Sequence, residues 1–156
     1  MKINPHQLES ELLAGCISDK TELLDLFNIS TSPAVELLIT RLQKHHNIST
    51  LSLNNINLNI LKISPGLLAS SLAWIPRIGL SGCFPDDQGI MNTIIREIIL
   101  QKKVKSLALS LNNLSSVDPS ILGQLVTAIK HVDLSHSYLT THQITEILHL
   151  SHILLT

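Results

Sequence analysis

Five apolar-x-apolar tripeptides recur along this chain at nearly constant spacing, and that regularity restricts the folds open to it. They are Leu24-Asp25-Leu26, Leu51-Ser52-Leu53, Ile78-Gly79-Leu80, Leu107-Ala108-Leu109 and Val132-Asp133-Leu134. Their last residues lie 27, 27, 29 and 25 positions apart. A period of this size predicts stacked structural units, each burying its apolar face against its neighbours rather than around one central core. The expected architecture is a solenoid.

Helix starts fall between the tripeptides. Asn4-Pro5-His6-Gln7 combines an N-cap, a proline at the first helical position and a glutamine for a capping box. Ser32-Pro33, Ser64-Pro65 and Asp118-Pro119 repeat the cap-proline pair, and Asp86 or Asp87 can cap a helix through Ile90, Ile94, Ile95 and Ile98. Thr140 with Gln143 offers a second capping box before a face carrying Ile144, Ile147 and Leu148. A longer self-match strengthens the period: Ser64-Pro65-Gly66-Leu67-Leu68 returns as Asp118-Pro119-Ser120-Ile121-Leu122 at an offset of 54, twice 27. Strands joined through single helices are expected to be parallel, with right-handed crossovers. Strands then align on one side and helices on the other, and the closer packing of strands predicts a short arc with the sheet inside.

Composition bounds what this arc can bind. At 156 residues the chain can bury a sizeable core, and with 44% hydrophobic but only 3% aromatic residues, Leu and Ile must fill it. Charged residues are 15%, below the roughly 25% usual for soluble domains, and mean hydropathy is +0.30. Both values point to apolar surface that something covers. A net charge of −1 gives no electrostatic reason to expect nucleic acid or an anionic membrane. Lys102, Lys103 and Lys105, the only basic cluster, read as a solvated turn. The N-terminal residues lack the apolar stretch of a signal peptide, and no window approaches the ~18 apolar residues of a membrane span. Cys16 and Cys83 have neither metal spacing nor the numbers of a disulfide framework. A reducing, cytoplasmic location is therefore expected.

The residues around the fourth tripeptide carry a family resemblance. Leu107-Ala108-Leu109-Ser110-Leu111-Asn112-Asn113-Leu114 matches the leucine-rich-repeat core L-x-L-x-x-N-x-L at each specified position, and Cys83 stands where that family accepts Asn or Cys. Elsewhere Ile29, Ile56 and Ser137 replace the Asn, while Thr31 and Pro85 replace the final Leu. The unit length and helices resemble the ribonuclease-inhibitor-like subclass, which includes ribonuclease inhibitor, the Ran GTPase-activating protein and the sensing arms of NLR-type immune receptors. The resemblance implies an α/β leucine-rich-repeat solenoid, with a parallel sheet on the concave side and helices on the convex side. Residues 1–20 would form an N-terminal capping helix and residues 21–156 about five repeats. It also implies that the turn Asn satisfies backbone groups, and that Ile29 and Ile56 hold their turns by apolar packing instead.

In such strands the residues between the apolar ones face outward. The concave face would then carry Asp25 and Phe27 from the first unit, and Ser52 and Asn54 from the second. Arg77 and Ser81 follow from the third, Ser110 from the fourth, and His131, Asp133 and Ser135 from the fifth, with Tyr138 nearby. Protein-binding centres favour Trp, Tyr and Arg, and here Arg77, Phe27 and Tyr138 stand out on a small, weakly polar surface. Trp74, the single tryptophan, ends a helix before Pro76 and reads as a core or capping residue.

Chemistry finds little support. Eight histidines include His136, His142, His149 and His152, but no carboxylate or cysteine is placed to complete a metal site. There is no nucleophile elbow, no Cys-His signature and no glycine-rich phosphate loop. Arg41, Arg77 and Arg96 match no context for a GTPase-activating arginine. No enzyme, cofactor or metal is expected. At the C-terminus, Ile144, Ile147, Leu148, Leu150, Ile153, Leu154 and Leu155 run on without a polar closing unit, and solenoids need polar caps. The chain could continue as a longer array, pair with another subunit there, or fold the last helix over its own edge. The expected function is recognition of a protein partner by a rigid scaffold. The alternatives are a regulatory arm of a larger sensor or ubiquitin-ligase adaptor and, more distantly, GTPase activation.

Overall fold

Side chains two apart on an extended chain share a face, so each tripeptide should form a short strand with its apolar residues inward. The computed structural model describes residues 15, 17–18, 20–26, 32–44, 46–86 and 89–155. Among them are five strands: β1 (Leu23–Asp25), β2 (Thr50–Ser52), β3 (Arg77–Gly79), β4 (Ser106–Ala108) and β5 (His131–Asp133). They form one parallel sheet in chain order, β1-β2-β3-β4-β5. The register sets Leu24, Leu51, Ile78, Leu107 and Val132 side by side. Each strand begins one residue earlier than its tripeptide, because the last apolar residue already turns out of the ladder. Its N–H still reaches the next strand: Leu26 N to Ser52 O at 2.9 Å, Leu53 N to Gly79 O at 2.8 Å, Leu80 N to Ala108 O at 2.9 Å and Leu109 N to Asp133 O at 2.8 Å.

Five helices occupy the connections among the described residues: α1 (Ser32–Leu42), α2 (Pro65–Leu72), α3 (Ile90–Gln101), α4 (Pro119–Ala128) and, after β5, α5 (Thr141–Leu155). A single 3-10 turn, Leu58–Ile60, precedes α2. Each helix packs on the next in chain order. The chain is thus α/β, and none of these helices is long and apolar enough to cross a membrane.

Local chemistry explains the helix starts. Ser64 caps α2 by accepting from Leu67 N at 3.2 Å, with Pro65 at the first helical position. Asp118 caps α4 by accepting from Ser120 N at 2.9 Å. Thr140 and Gln143 close the expected capping box, with Thr140 N donating to Gln143 Oε1 at 2.8 Å and Gln143 N to Thr140 Oγ1 at 3.2 Å.

Two expectations need correction. Asp86 is not the cap of α3, and Asp87 lies outside the described residues; the N-cap is Gly89 at φ 77°, without a side-chain cap. Glycine enters this left-handed geometry without the Cβ clash that other residues meet. The α5 face also differs, since Ile144 and Leu148 are 46% and 64% exposed while Gln143 is buried. The Gln143 amide donates to Leu114 O and Val117 O, both at 2.7 Å, and so rotates the helix to put its own stripe inward. Gly123 of α4 lets α5 approach closely, because a Cβ there would collide with Leu150 Cδ1. The capping helix expected within residues 1–20 lies largely outside the described residues, as do Cys16, Ile29 and Thr31.

Shortly after β2, β3, β4 and β5 the chain passes through positive φ, at Asn55 (62°), Gly82 (67°), Leu111 (60°) and His136 (53°). The following residue plugs the turn from inside. Ile56 is 4% exposed and does so with apolar surface alone. The other three plugs donate to the carbonyl that ends the preceding strand's tripeptide: Cys83 Sγ to Leu53 O at 2.9 Å, Asn112 Nδ2 to Leu80 O at 2.9 Å and Ser137 Oγ to Leu109 O at 3.0 Å. Asn112 does more, donating also to Leu109 O at 2.9 Å and accepting from Phe84 N at 2.8 Å. The turn role that the resemblance assigns to Asn is thus played at this position. Trp74 is half-buried against the core, as expected, in a T-shaped contact with His46 at 4.9 Å.

Replacing Asn112 with Ala strands the buried Phe84 N–H and takes one of two donors from each of Leu80 O and Leu109 O, which keep Cys83 N and Ser137 Oγ, and should cost about 2 kcal/mol in a urea melt. Asn112→Asp should cost more, because a carboxylate would then face both carbonyls. Cys83 is inert by the same burial, which pushes its thiol up to about 12 despite N–H groups of Ile56 and Asn55 that lower it. A native state that keeps the thiol protonated loses stability as pH rises from the ordinary cysteine value towards that raised one. In a Cys16→Ser background, a thiol reagent at pH 8 should label the native chain hardly at all and the unfolded chain fully.

Candidate functional site

The alternation of the strands places one row of side chains outward at Asp25, Ser52, Gly79, Ala108 and Asp133. Another outward row follows at Asn54, Ser81, Ser110 and Ser135. The middle of this face satisfies itself. Asn54 Nδ2 donates to Ser52 Oγ at 3.1 Å, Ser81 N to Asn54 Oδ1 at 2.9 Å, and Ser110 Oγ to Ser81 Oγ at 2.8 Å. Gly79 leaves room for this chain, since a Cβ there would stand 3.0 Å from Asn54 Oδ1. Donors and acceptors already paired with each other offer little to a ligand, so the centre of the face is a flat, self-contained polar band.

The expected residues therefore separate. Ser52, Asn54, Ser81 and Ser110 are brought together as that band. Asp25 and Arg77 are exposed on β1 and β3, away from the fifth unit, and Phe27 lies outside the described residues. His131 and Asp133 are exposed on β5. With Ser106, Ala108 and Lys130 they border a shallow hollow of about 330 Å³ over β4 and β5. Asp133 Oδ1 accepts from Ser135 N at 3.0 Å. That bond, with the Ser135 and Ser110 hydroxyls and the charge of His136, holds the carboxyl below the usual aspartate range.

Beyond the strands, the turns carry a second hollow, of about 310 Å³, lined by Leu111, His136 and Tyr138. All three have positive φ, with Tyr138 at 53°. Leu111 is 56% and Tyr138 76% exposed. Side chains with a Cβ disfavour this conformation by about 1–2 kcal/mol, and strain of this kind concentrates at sites of function. Two large apolar groups held in water on strained backbone form the most distinctive feature of this surface. The sequence pointed to Tyr138 but passed over Leu111, which occupies a variable position of the L-x-L-x-x-N pattern. The available signal was a leucine at the turn position that Asn55 and Gly82 fill elsewhere.

Among the described residues, no group of three or more His, Cys, Asp or Glu side chains is placed to hold a metal ion. The chain matches no protein family, no curated protein and no solved structure at a significant level.

Leu111→Asn keeps the turn in a conformation that Asn tolerates well, and should raise stability by about 1 kcal/mol in thermal or urea unfolding. The acid side of the stability profile should respond to Asp133. Its depressed folded value means that its contribution is present above the ordinary carboxyl range and is lost as pH falls through the lowered one. Asp133→Asn should therefore flatten the loss of stability below pH ~4, as read from unfolding midpoints across that range.

Proposed function

We propose that this chain is a leucine-rich-repeat solenoid of the ribonuclease-inhibitor-like kind, built by residues 21–156, that recognises a protein partner without catalysis. The constant strand spacing, the sheet in chain order and the buried Asn112 of the L-x-L-x-x-N segment support the repeat reading. The observation that carries the functional reading is the pair Leu111 and Tyr138, exposed around one hollow on strained turns. A protein partner would anchor on the tyrosine ring and leucine, whose burial supplies the apolar part of the binding energy. His136, which lines the same hollow, would select a polar group on that partner. The turns are fixed by the bonds of Asn112 and Ser137, so binding would order little in this chain, and little entropy would be lost.

The test is affinity purification from the cells that make the chain, with three baits: the unmodified protein, Leu111→Asn/Tyr138→Ser, and Ile60→Ser. Ile60 is an exposed apolar residue on the 3-10 turn, distant in the chain from this hollow. Proteins retained by the first and third baits but lost from the second are the expected outcome. Equal retention by all three would sink this reading.

A further inference from the structure

We infer that the edge of β5 left open by the described strands pairs antiparallel with the same edge of a second copy of this chain, about a two-fold axis. The inference stands independently of the partner-binding reading above. The apolar residues of the fifth unit have less cover than those of the three units before it. Val132 and Leu134 are half-buried, whereas their counterparts Leu51, Ile78 and Leu107, and Leu53, Leu80 and Leu109, are 0–3% exposed. On the helix side, Gln143 and Leu150 turn α5 towards the preceding unit, and Ile144 and Leu148 turn away from it into water.

The backbone of β5 is set for a further strand. Leu109 N and Leu111 N donate to Asp133 O and Ser135 O, and His131 N donates to Lys105 O, so odd-numbered residues of β5 face β4. Main-chain groups alternate in direction along a strand, which points those of Lys130, Val132 and Leu134 to the open edge. An antiparallel match centred on Val132 lets the two valines exchange N–H···O bonds, with Lys130 and Leu134 of opposite copies pairing on either side. His131 of each copy then lies directly across from Asp133 of the other, on the exposed face that both occupy. An imidazole N–H opposite a carboxylate is a favourable cross-strand pair.

The competing parallel match, of β5 with β1 of another copy, is worse. The register used throughout the sheet would place Asp25 opposite Asp133, and like charges directly opposite destabilise a sheet. Such a match would also be head-to-tail and open-ended, whereas the two-fold one closes at two copies. With the axis normal to the sheet, both α5 helices fall in one layer, where Ile144 and Leu148 of each lie on the side of the other copy.

Sedimentation equilibrium on the full chain, from low micromolar to millimolar concentration, tests this directly. The expected mass rises from monomer to twice 17.2 kDa and stops there. His131→Asp should weaken the dimer, and His131→Arg should tighten it, each by roughly tenfold in dissociation constant. His131 is exposed, so neither change should appreciably alter the unfolding midpoint at concentrations where the chain is monomeric. A mass that stays monomeric throughout overturns the inference. So does growth beyond the dimer, or a dimer that neither substitution shifts.

Discussion

The fold depends on the side chains that plug the turns from inside. A strand of three residues makes too few ladder bonds to hold a sheet together, and the carbonyls at its turn are thinly paired by backbone alone, Leu53 O by Ile56 N at 3.1 Å and Leu80 O by Cys83 N at 3.3 Å. Cys83, Asn112 and Ser137 meet both needs with one recurring bond, to the carbonyl that ends the preceding tripeptide. Each plug therefore belongs to two units at once and fixes how far one is set from the next. The apolar core between sheet and helices supplies most of the driving force, but it is not directional. The plugs convert that general attraction into a specific order of strands.

The same turns generate the candidate site. To swing its plug inward, the chain passes through a left-handed residue just before it, and whatever side chain stands there is thrust outward. In the second and third turns that residue is Asn55 or Gly82, which settle there at little cost. In the fourth it is Leu111, which is strained and apolar. Structural necessity sets the backbone, and the choice of side chain at one position then turns a featureless bend into an exposed apolar ridge.

Much of this was legible beforehand, for identifiable reasons. The strands, their parallel order and most helix starts follow from period-two apolar residues and cap-proline pairs, signals that depend on neighbours in sequence. The α3 start was misplaced because two aspartates look like better caps than a glycine whose left-handed geometry no side chain announces. The α5 face was misread because Gln143 is polar, and its burial depends on the carbonyls of Leu114 and Val117, supplied from another unit. In sequence the strand face reads as a small, weakly polar surface open to a partner. Its internal pairing, from Ser52 through Ser110, depends on lateral distances that a single strand does not reveal.

The plugs also differ from one another, being isoleucine, cysteine, asparagine and serine at successive turns. Chains built from near-identical units risk assembling them out of order, or lending one to a neighbouring molecule, because any unit then fits beside any other. Here a transposed unit would set Ile56 against carbonyls that Asn112 now satisfies, or would push a carboxamide into a pocket lined with methyl groups. Either mistake leaves buried polar groups unpaired. The irregularity of these four turns thus works as an address system, in which each of the four carries a tag that its proper neighbour reads.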